Sequence, residues 1–354
     1  MPDLVSLSVP PADYAPQAVA LPGLTIGPSR ASWHTQRQAL RQRWLDTLGH
    51  GPSVPPLEPQ VGEAEDLGEV RRCLLNYQVE DGVRVEAYLL QPAGDGPFPA
   101  VLVYHPTNDT SILEPAGLAP PASLQFGLNL ARRGYVTLCP RNYLWGYRGL
   151  PEKGPHDFDS FRRITEGLLQ RWPAWTGMGK MVWDGLRAVD YLLTRPEVDA
   201  TRLGCVGHSL GAKEVLYSLA FDERLQAGVS NDGGVGLPQS NWDAPWYLGE
   251  GIHQRPDLEH HQIVALCAPR ALLVLGGGRQ PSRAEPGVSP ATDNLRTWNY
   301  LEAARPAYRL YGASARLGML LHDRGHCVPP EAEGVLYGWL DEFVKGTGSG
   351  PGRR

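Results

Sequence analysis

The chain has 354 residues, a net charge of -5 and a charged fraction of 20%. That length accommodates one large domain with decorations or two small ones, and either buries a sizeable core. Basic residues are scattered, with no patch or run, which argues against nucleic acid as a partner. The five cysteines, Cys73, Cys139, Cys205, Cys267 and Cys327, are widely spaced and form no C-x-x-C pair. They suit neither a disulfide frame nor a zinc site. Cys139, Cys205 and Cys267 sit in or beside apolar runs and read as buried free thiols. The start, MPDLVSLSVPPADYAP, has neither a basic n-region nor an apolar h-region. No apolar run reaches the ~20 residues of a membrane span. A cytoplasmic protein without membrane contact is the expectation.

Residues 1–30, rich in Pro and Ala, read as a loose arm. A helix is predicted over 33–48, where Leu40, Trp44, Leu45 and Leu48 repeat at helical spacing before Gly49 and Gly51. GPSVPPLEP reads as a linker. Strands are predicted at Val70–Val79 and Val83–Gln91, flanking the turn signal Glu80-Asp81-Gly82, and at Ala100–Tyr104, a short apolar run. Strand and helix then alternate. Helical patterns near 124–132, 178–193, 210–220 and 295–304 are interleaved with strand runs at 135–139, 202–206, 226–230, 271–275 and 316–321. A last helix follows Pro329-Pro330, and the tail 346–354 reads as disordered. This order predicts an α/β protein with a mostly parallel sheet, helices on both faces and an antiparallel hairpin at its start. The segments 140–176 and 232–258 read as lid-like loops on a single domain over 31–345.

The strongest chemical signal is Gly207-His208-Ser209-Leu210-Gly211, a G-x-S-x-G elbow between strand RLGCV and helix LGAKEVLYSLA. Such a turn lifts the serine Oγ above the sheet edge and aims the free N–H groups of a helix start at a developing oxyanion. The serine needs a base. In a chain order of Ser, acid, His, the base falls in Leu321-His322-Asp323-Arg324-Gly325-His326, and His326, in the loop after Gly325, is preferred over His322. Asp293, just before a helix, is the preferred acid. Asp232, at the end of strand 226–230, is its rival, with Glu285 and Glu302 behind them. The oxyanion hole is expected at the N–H of Leu210 and of Thr107 or Asn108, since Pro106 has none. His105 reads as a packed turn residue. Trp242 and Trp246 stand in a loop that could wall a pocket and contact substrate, or anchor the loop in the core. His260-His261 follows Glu259 without an H-E-x-x-H pattern, so no metal is expected, and the chemistry needs no cofactor.

In PAVLVYHPTND, LARRGYVTLCPRNY, the stretch from MVWDGLRAVDYLL through GHSLGAKEVLYSLAF, ALCAPRALLV and GHCVPPEAEGVLYGWLDEF, the chain resembles the dienelactone-hydrolase-like and acetylxylan-esterase-like branch of the α/β hydrolases. The resemblance implies the α/β-hydrolase fold and Ser209 as nucleophile. A second resemblance, to glucuronoyl esterases, rests on Lys213 four residues after the serine, on Asp232 and on HHQIVALCAPR. It implies Lys213 in substrate binding and Asp232 as acid. The chain departs from those esterases in having Leu210 where they carry an arginine. The expected reaction is hydrolysis of a small-molecule or carbohydrate carboxylic ester through an acyl-enzyme. A peptidase on this fold usually carries a propeller or large cap, and 354 residues leave no room for a propeller. A non-catalytic binding protein would not need both Ser209 and His326.

Overall fold

The computed structural model describes residues 5–16, 21–146, 157–279 and 289–346, and in it the apolar runs become a nine-stranded sheet. In chain order the strands are β1 (Gln60–Asp66), β2 (Val70–Glu80), β3 (Val83–Pro92), β4 (Phe98–Tyr104), β5 (Val136–Pro140), β6 (Val198–His208), β7 (Leu225–Asn231), β8 (Ala271–Gly276) and β9 (Leu317–Leu321). They lie side by side as β1-β2-β3-β5-β4-β6-β7-β8-β9. The first three are antiparallel, β3 meets β5 antiparallel, and every later neighbour is parallel. The expected hairpin is β2–β3, closed over Asp81-Gly82.

The helices are α1 (Arg30–Leu48), α2 (Phe126–Arg132), α3 (Phe158–Arg171), α4 (Gly177–Leu193), α5 (Leu210–Phe221), α6 (His261–Cys267), α7 (Thr297–Leu310) and α8 (Pro330–Leu340). Side chains alternate across a strand. Thus Ala100, Leu102 and Tyr104 of β4 enter the core layer under α1 and α4 to α7, while Val101 and Val103 enter the layer under α2 and α8. In α1, Trp33, Leu40, Trp44 and Leu48 form the buried stripe. Ser29 Oγ caps its start by accepting from Ser32 N, and Gly49 at φ 88° ends it. Cys73, Cys139, Cys205 and Cys267 are buried free thiols.

Three elements depart from the sequence reading. β1 is exposed along its whole length, so it carries no apolar alternation and is held by backbone pairing to β2. α6 is buried on every side and offers no helical stripe. α3 lies inside the expected loop 140–176; residues 147–156 of that loop and 347–354 of the tail lie outside the described residues. The arm is not loose where it is described. Leu7 is buried against β9, where a Cβ at Gly318 would stand 3.2 Å from the Leu7 Cβ and carbonyl oxygen. Tyr14 Oη donates to Asn299 Oδ1 at 2.8 Å. β9 is a sheet edge, and Leu7 packs on its face beside Trp339 of α8.

The parallel strands from β5 to β9 point one way, so Tyr104, Pro140, His208, Asn231, Gly276 and Leu321 all end at one edge of the sheet. In open parallel sheets, the loops leaving that edge carry the chemistry.

Candidate active site

Ser209 stands alone between β6 and α5, at φ 57° and ψ -113°. Such a conformation costs a non-glycine residue about 1–3 kcal/mol and persists only where its surroundings fix it. Ser209 N donates to Asn231 O at 2.9 Å. A Cβ on Gly207 would lie 2.4 Å from the Gly211 carbonyl carbon, and one on Gly211 would lie 2.4 Å from Tyr104 O. Both elbow glycines are therefore required by close approach. The second lets the start of α5 rest on the end of β4, which brings the loop beginning at His105 beside the elbow. The two expected oxyanion donors, Leu210 in the first turn of α5 and Thr107 in that loop, lie on these neighbouring segments.

His105 serves the loop. Its Nδ1 donates to Pro106 O (2.8 Å), its Nε2 accepts from Asn142 N (3.1 Å), and Trp145 packs edge-on to it. Burial lowers its pKa to about 4, so it is neutral near pH 7. Trp145 Nε1 donates to Asn108 O at 3.0 Å and ties down the same segment.

His326 is held by its own N–H to Ser289 O (2.8 Å), and its ring centroid lies 4.5 Å from that of His208, the elbow residue beside Ser209. Its Nδ1–H donates to Asp232 Oδ2 at 2.5 Å. Asp232 is fully buried at φ 58°, and its other oxygen accepts from Asp293 N (2.8 Å) and Thr292 N (3.0 Å). The structure thus corrects the expected pairing of His326 with Asp293. The Asp293 carboxylate accepts from Gly234 N (2.8 Å), Val235 N (2.9 Å) and Thr297 Oγ1 (3.0 Å). Its oxygens face the turn after β7, while Asp232, whose N–H is tied to Leu275 O of β8, presents its carboxylate to the His326 loop. Burial, and then the Asp232 charge, push the Asp293 carboxyl up to about 6. Glu302 is paired with Arg305 at 2.6 Å, and Glu285 lies outside the described residues. His322 N donates to Gly276 O, and its Nδ1 accepts from Arg324 N at 3.2 Å. It is packed at the strand end, and burial lowers its pKa.

Lys213, Trp242 and Trp246 were expected to meet substrate. Lys213 is buried, and its Nζ donates to Gly233 O (2.5 Å) and Ser240 Oγ (2.6 Å), 4.2 Å above the Trp242 ring. Burial lowers its pKa to about 7, against the pull of Asp293 and Asp232. Both indoles are buried, as the second of the two readings left open for them, loop anchors in the core, would have them. Trp242 Nε1 donates to Gly234 O at 2.7 Å, and Trp246 stacks on Phe158 at 5.3 Å. They anchor the segments 232–258 and 140–176 to the core. The sequence reading gave no role to Thr292, and it did not foresee that His208 packs on His326 or that His260 holds Val235 O. His208 was visible as the residue between the elbow glycine and serine. The other two bond to backbone carbonyls of the Asp232 turn, through the Thr292 hydroxyl and the His260 ring, and leave no motif. Among the described residues, no group of three His, Cys, Asp or Glu side chains is placed to hold a metal ion, and no helix is long and apolar enough to cross a membrane.

Residues 85–247 match the model of the dienelactone hydrolase family. YtaP of Bacillus subtilis (strain 168), which carries the name of a hydrolase, is 26% identical over 321 residues, covering 86% of this chain and 100% of YtaP. A 4-O-methyl-glucuronoyl methylesterase of Thermothelomyces thermophilus is 25% identical over 301 residues, covering 76% of this chain and 67% of that protein. Among solved structures, a glucuronoyl esterase from Solibacter usitatus superposes with a TM-score of 0.68 at 18% identity, covering 92% of this chain and 98% of that one. The fold is that of the α/β hydrolases.

Proposed function

We propose that this protein cleaves a carbohydrate carboxylic ester through an acyl-enzyme on Ser209. The observation that carries the mechanism is the 2.5 Å contact from His326 Nδ1 to the buried Asp232 carboxylate, in a ring packed beside the elbow. With the Nδ1–H held in a hydrogen bond to Asp232, the Nε2 lone pair is free to take the Ser209 Oγ proton as Oγ attacks the ester carbon. The N–H groups of Leu210 and Thr107 hold the oxyanion. His326 then returns the proton to the departing alcohol, and water activated by the same nitrogen releases the acid. Asp232 fixes the tautomer and stabilises the imidazolium.

The substrate class rests on the relatives that share most of the chain's length and carry the names of carbohydrate esterases. The test joins two measurements. A fluorophosphonate probe should label the wild-type protein at Ser209 and leave Ser209→Ala unlabelled. Initial rates should then be compared on p-nitrophenyl acetate, acetylated xylan and a methyl ester of glucuronic acid. Turnover of the chromogenic ester with neither carbohydrate ester cleaved would sink the substrate class. Absence of labelling would sink the mechanism.

A further inference from the structure

The turn that carries the acid, Asp232–Val235, is tied down through its backbone almost residue by residue. Asp232 N donates to Leu275 O at 2.7 Å, and Asp232 O accepts from Thr292 Oγ1 at 2.9 Å. Gly233 O accepts from Lys213 Nζ, Gly234 O from Trp242 Nε1 and Val235 O from His260 Nδ1, at 2.5, 2.7 and 2.7 Å. The two successive N–H groups of Gly234 and Val235 go to the two oxygens of one carboxylate, Asp293, at 2.8 and 2.9 Å. The tie runs in reverse as well. Asp232 Oδ1 accepts the N–H groups of Thr292 and Asp293 at 3.0 and 2.8 Å. The loops leaving β7 and β8 are therefore cross-tied, each by the other's carboxylate, and both carboxylates are fully buried.

This cross-tie has work to do. Asp232 is held at φ 58° and Gly234 at φ 76°, and a strained non-glycine residue relaxes if the groups fixing it are removed. The donors of Gly234 and Val235 are buried, so without Asp293 they would have to seek other acceptors, and the turn would move to find them. Asp232 Oδ2 would move with it, away from His326 Nδ1.

We propose that Asp293 is a positioning residue, which holds the Asp232 turn in the geometry that the Asp232–His326 hydrogen bond requires and does not itself touch His326 or substrate. The inference rests on the acyl-enzyme reading above. It differs from a purely structural role for Asp293, which would affect stability and leave the His326–Asp232 bond alone. It differs equally from a role as the orienting acid, in which its loss would match the loss of Asp232. Thr297 belongs to the same arrangement, because its Oγ1 is the third donor to Asp293, at 3.0 Å.

The test uses the full chain and compares Asp293→Asn, Asp232→Asn and wild type. An asparagine at 293 keeps one acceptor but turns an NH2 group towards Gly234 N or Val235 N, so one backbone bond is lost and donor faces donor. The readouts are kcat and KM on p-nitrophenyl acetate and the downfield proton resonance of His326 Nδ1–H. For Asp293→Asn, kcat should fall by about 10²-fold, the loss that a misplacement of about 1 Å brings, with KM unchanged within about twofold. The resonance should shift or broaden. An unchanged resonance with unchanged kcat would overturn the proposal in favour of a structural role. A loss of kcat equal to that of Asp232→Asn would overturn it in favour of Asp293 as the acid. If Asp293→Asn does not fold, Thr297→Val replaces it, with Thr297→Ser as the hydroxyl-retaining control. A resonance altered in Val and restored in Ser supports the proposal, and one unaltered in both overturns it. A wild type that neither labels with fluorophosphonate nor turns over esters would defeat the acyl-enzyme reading, and the resonance comparison would still decide what Asp293 does.

Discussion

Replacing Asp232 with asparagine is the sharpest perturbation of the proposed triad, because the surrounding bonds dictate how the new amide must lie. In the native protein Asp232 Oδ1 accepts from two backbone N–H groups, those of Thr292 and Asp293, and also lies 3.3 Å from Thr292 Oγ1. Only oxygen can occupy that position, so the amide oxygen stays there and the NH2 group is turned to His326. Nδ1 of His326, now facing a donor at the 2.5 Å site of the former carboxylate oxygen, must become an acceptor. Its proton moves to Nε2, the nitrogen that has to receive the Ser209 proton. The serine is left with a base in the wrong tautomer. A wrong-tautomer triad of this kind loses about 10⁴ in kcat, or about 5.5 kcal/mol of barrier. The assay is burst and steady-state hydrolysis of p-nitrophenyl acetate near pH 7, with a thermal melt to show that the variant is folded. A folded Asp232→Asn variant that keeps kcat within about tenfold of wild type would refute the assignment, since a loss so small is about 1.4 kcal/mol and cannot reflect an inverted base.

The other outcomes follow from single features. Ser209→Ala and Ser209→Gly should both abolish ester hydrolysis, yet the glycine variant should melt higher than the alanine variant, because only glycine adopts φ 57° without strain; the reverse order of melting temperatures would contradict the strained elbow. His326→Ala should lose activity on the scale of a missing triad member, roughly 10⁴ or more, while His322→Ala should keep kcat within about tenfold; an inactive His322 variant beside an active His326 variant would reverse the assignment. Asp293 gives a pH effect whose sign is set by its carboxyl being raised to about 6 by burial and the Asp232 charge. The folded state then binds the proton more tightly than the unfolded chain does, so between about pH 4 and pH 6 this group makes stability fall as pH rises. Asp232 and Lys213 face the same site and remain in the variant. The stability deficit of Asp293→Asn relative to wild type, measured by urea unfolding, should therefore be larger at pH 4.5 than at pH 7. A deficit that grows with pH would show the sign to be wrong.

The nucleophile was legible in the sequence because everything it needs is local: a strand, two glycines at fixed offsets and a helix start within eleven or so residues. The base was legible for a similar reason, since the loop after the last parallel strand is short and holds two histidines, one of them pinned by the strand end. The acid was not. Asn231 of β7 lies in register with Leu275 of β8, so the loops leaving both strands open side by side, and an aspartate in either can approach the same imidazole. What separates them is which oxygens are already taken, and that depends on the N–H groups of the opposite loop. No spacing in the chain reports it. The indoles fail in the same way. Trp242 and Trp246 have the composition of a pocket wall, but burial depends on what packs over them, here Lys213 in one case and α3 in the other. β1 and α6 lie at the two limits where periodicity carries no information, exposed on both faces or buried all round.

The position of the acid bears on how the two resemblances fit together. An orienting carboxylate after β8 and one after β7 are alternative solutions to one geometric problem, and this chain has a buried aspartate at both. Burying two carboxylates side by side is unfavourable unless each is supplied with donors or shares a proton. Here Asp232 has His326 and two backbone N–H groups, and Asp293 has two backbone N–H groups and the Thr297 hydroxyl. Lys213, on the nucleophile helix, reaches the carbonyl between them at Gly233 and adds a cation whose charge state both carboxylates favour. In that setting Asp293 cannot be exchanged for a neutral asparagine without leaving a donor of the Asp232 turn unpaired, because its two oxygens serve Gly234 N and Val235 N separately. The second carboxylate is consequently retained for a different task. It keeps the turn after β7 where the first can work, and the lysine four residues beyond the serine braces the same turn from the other side.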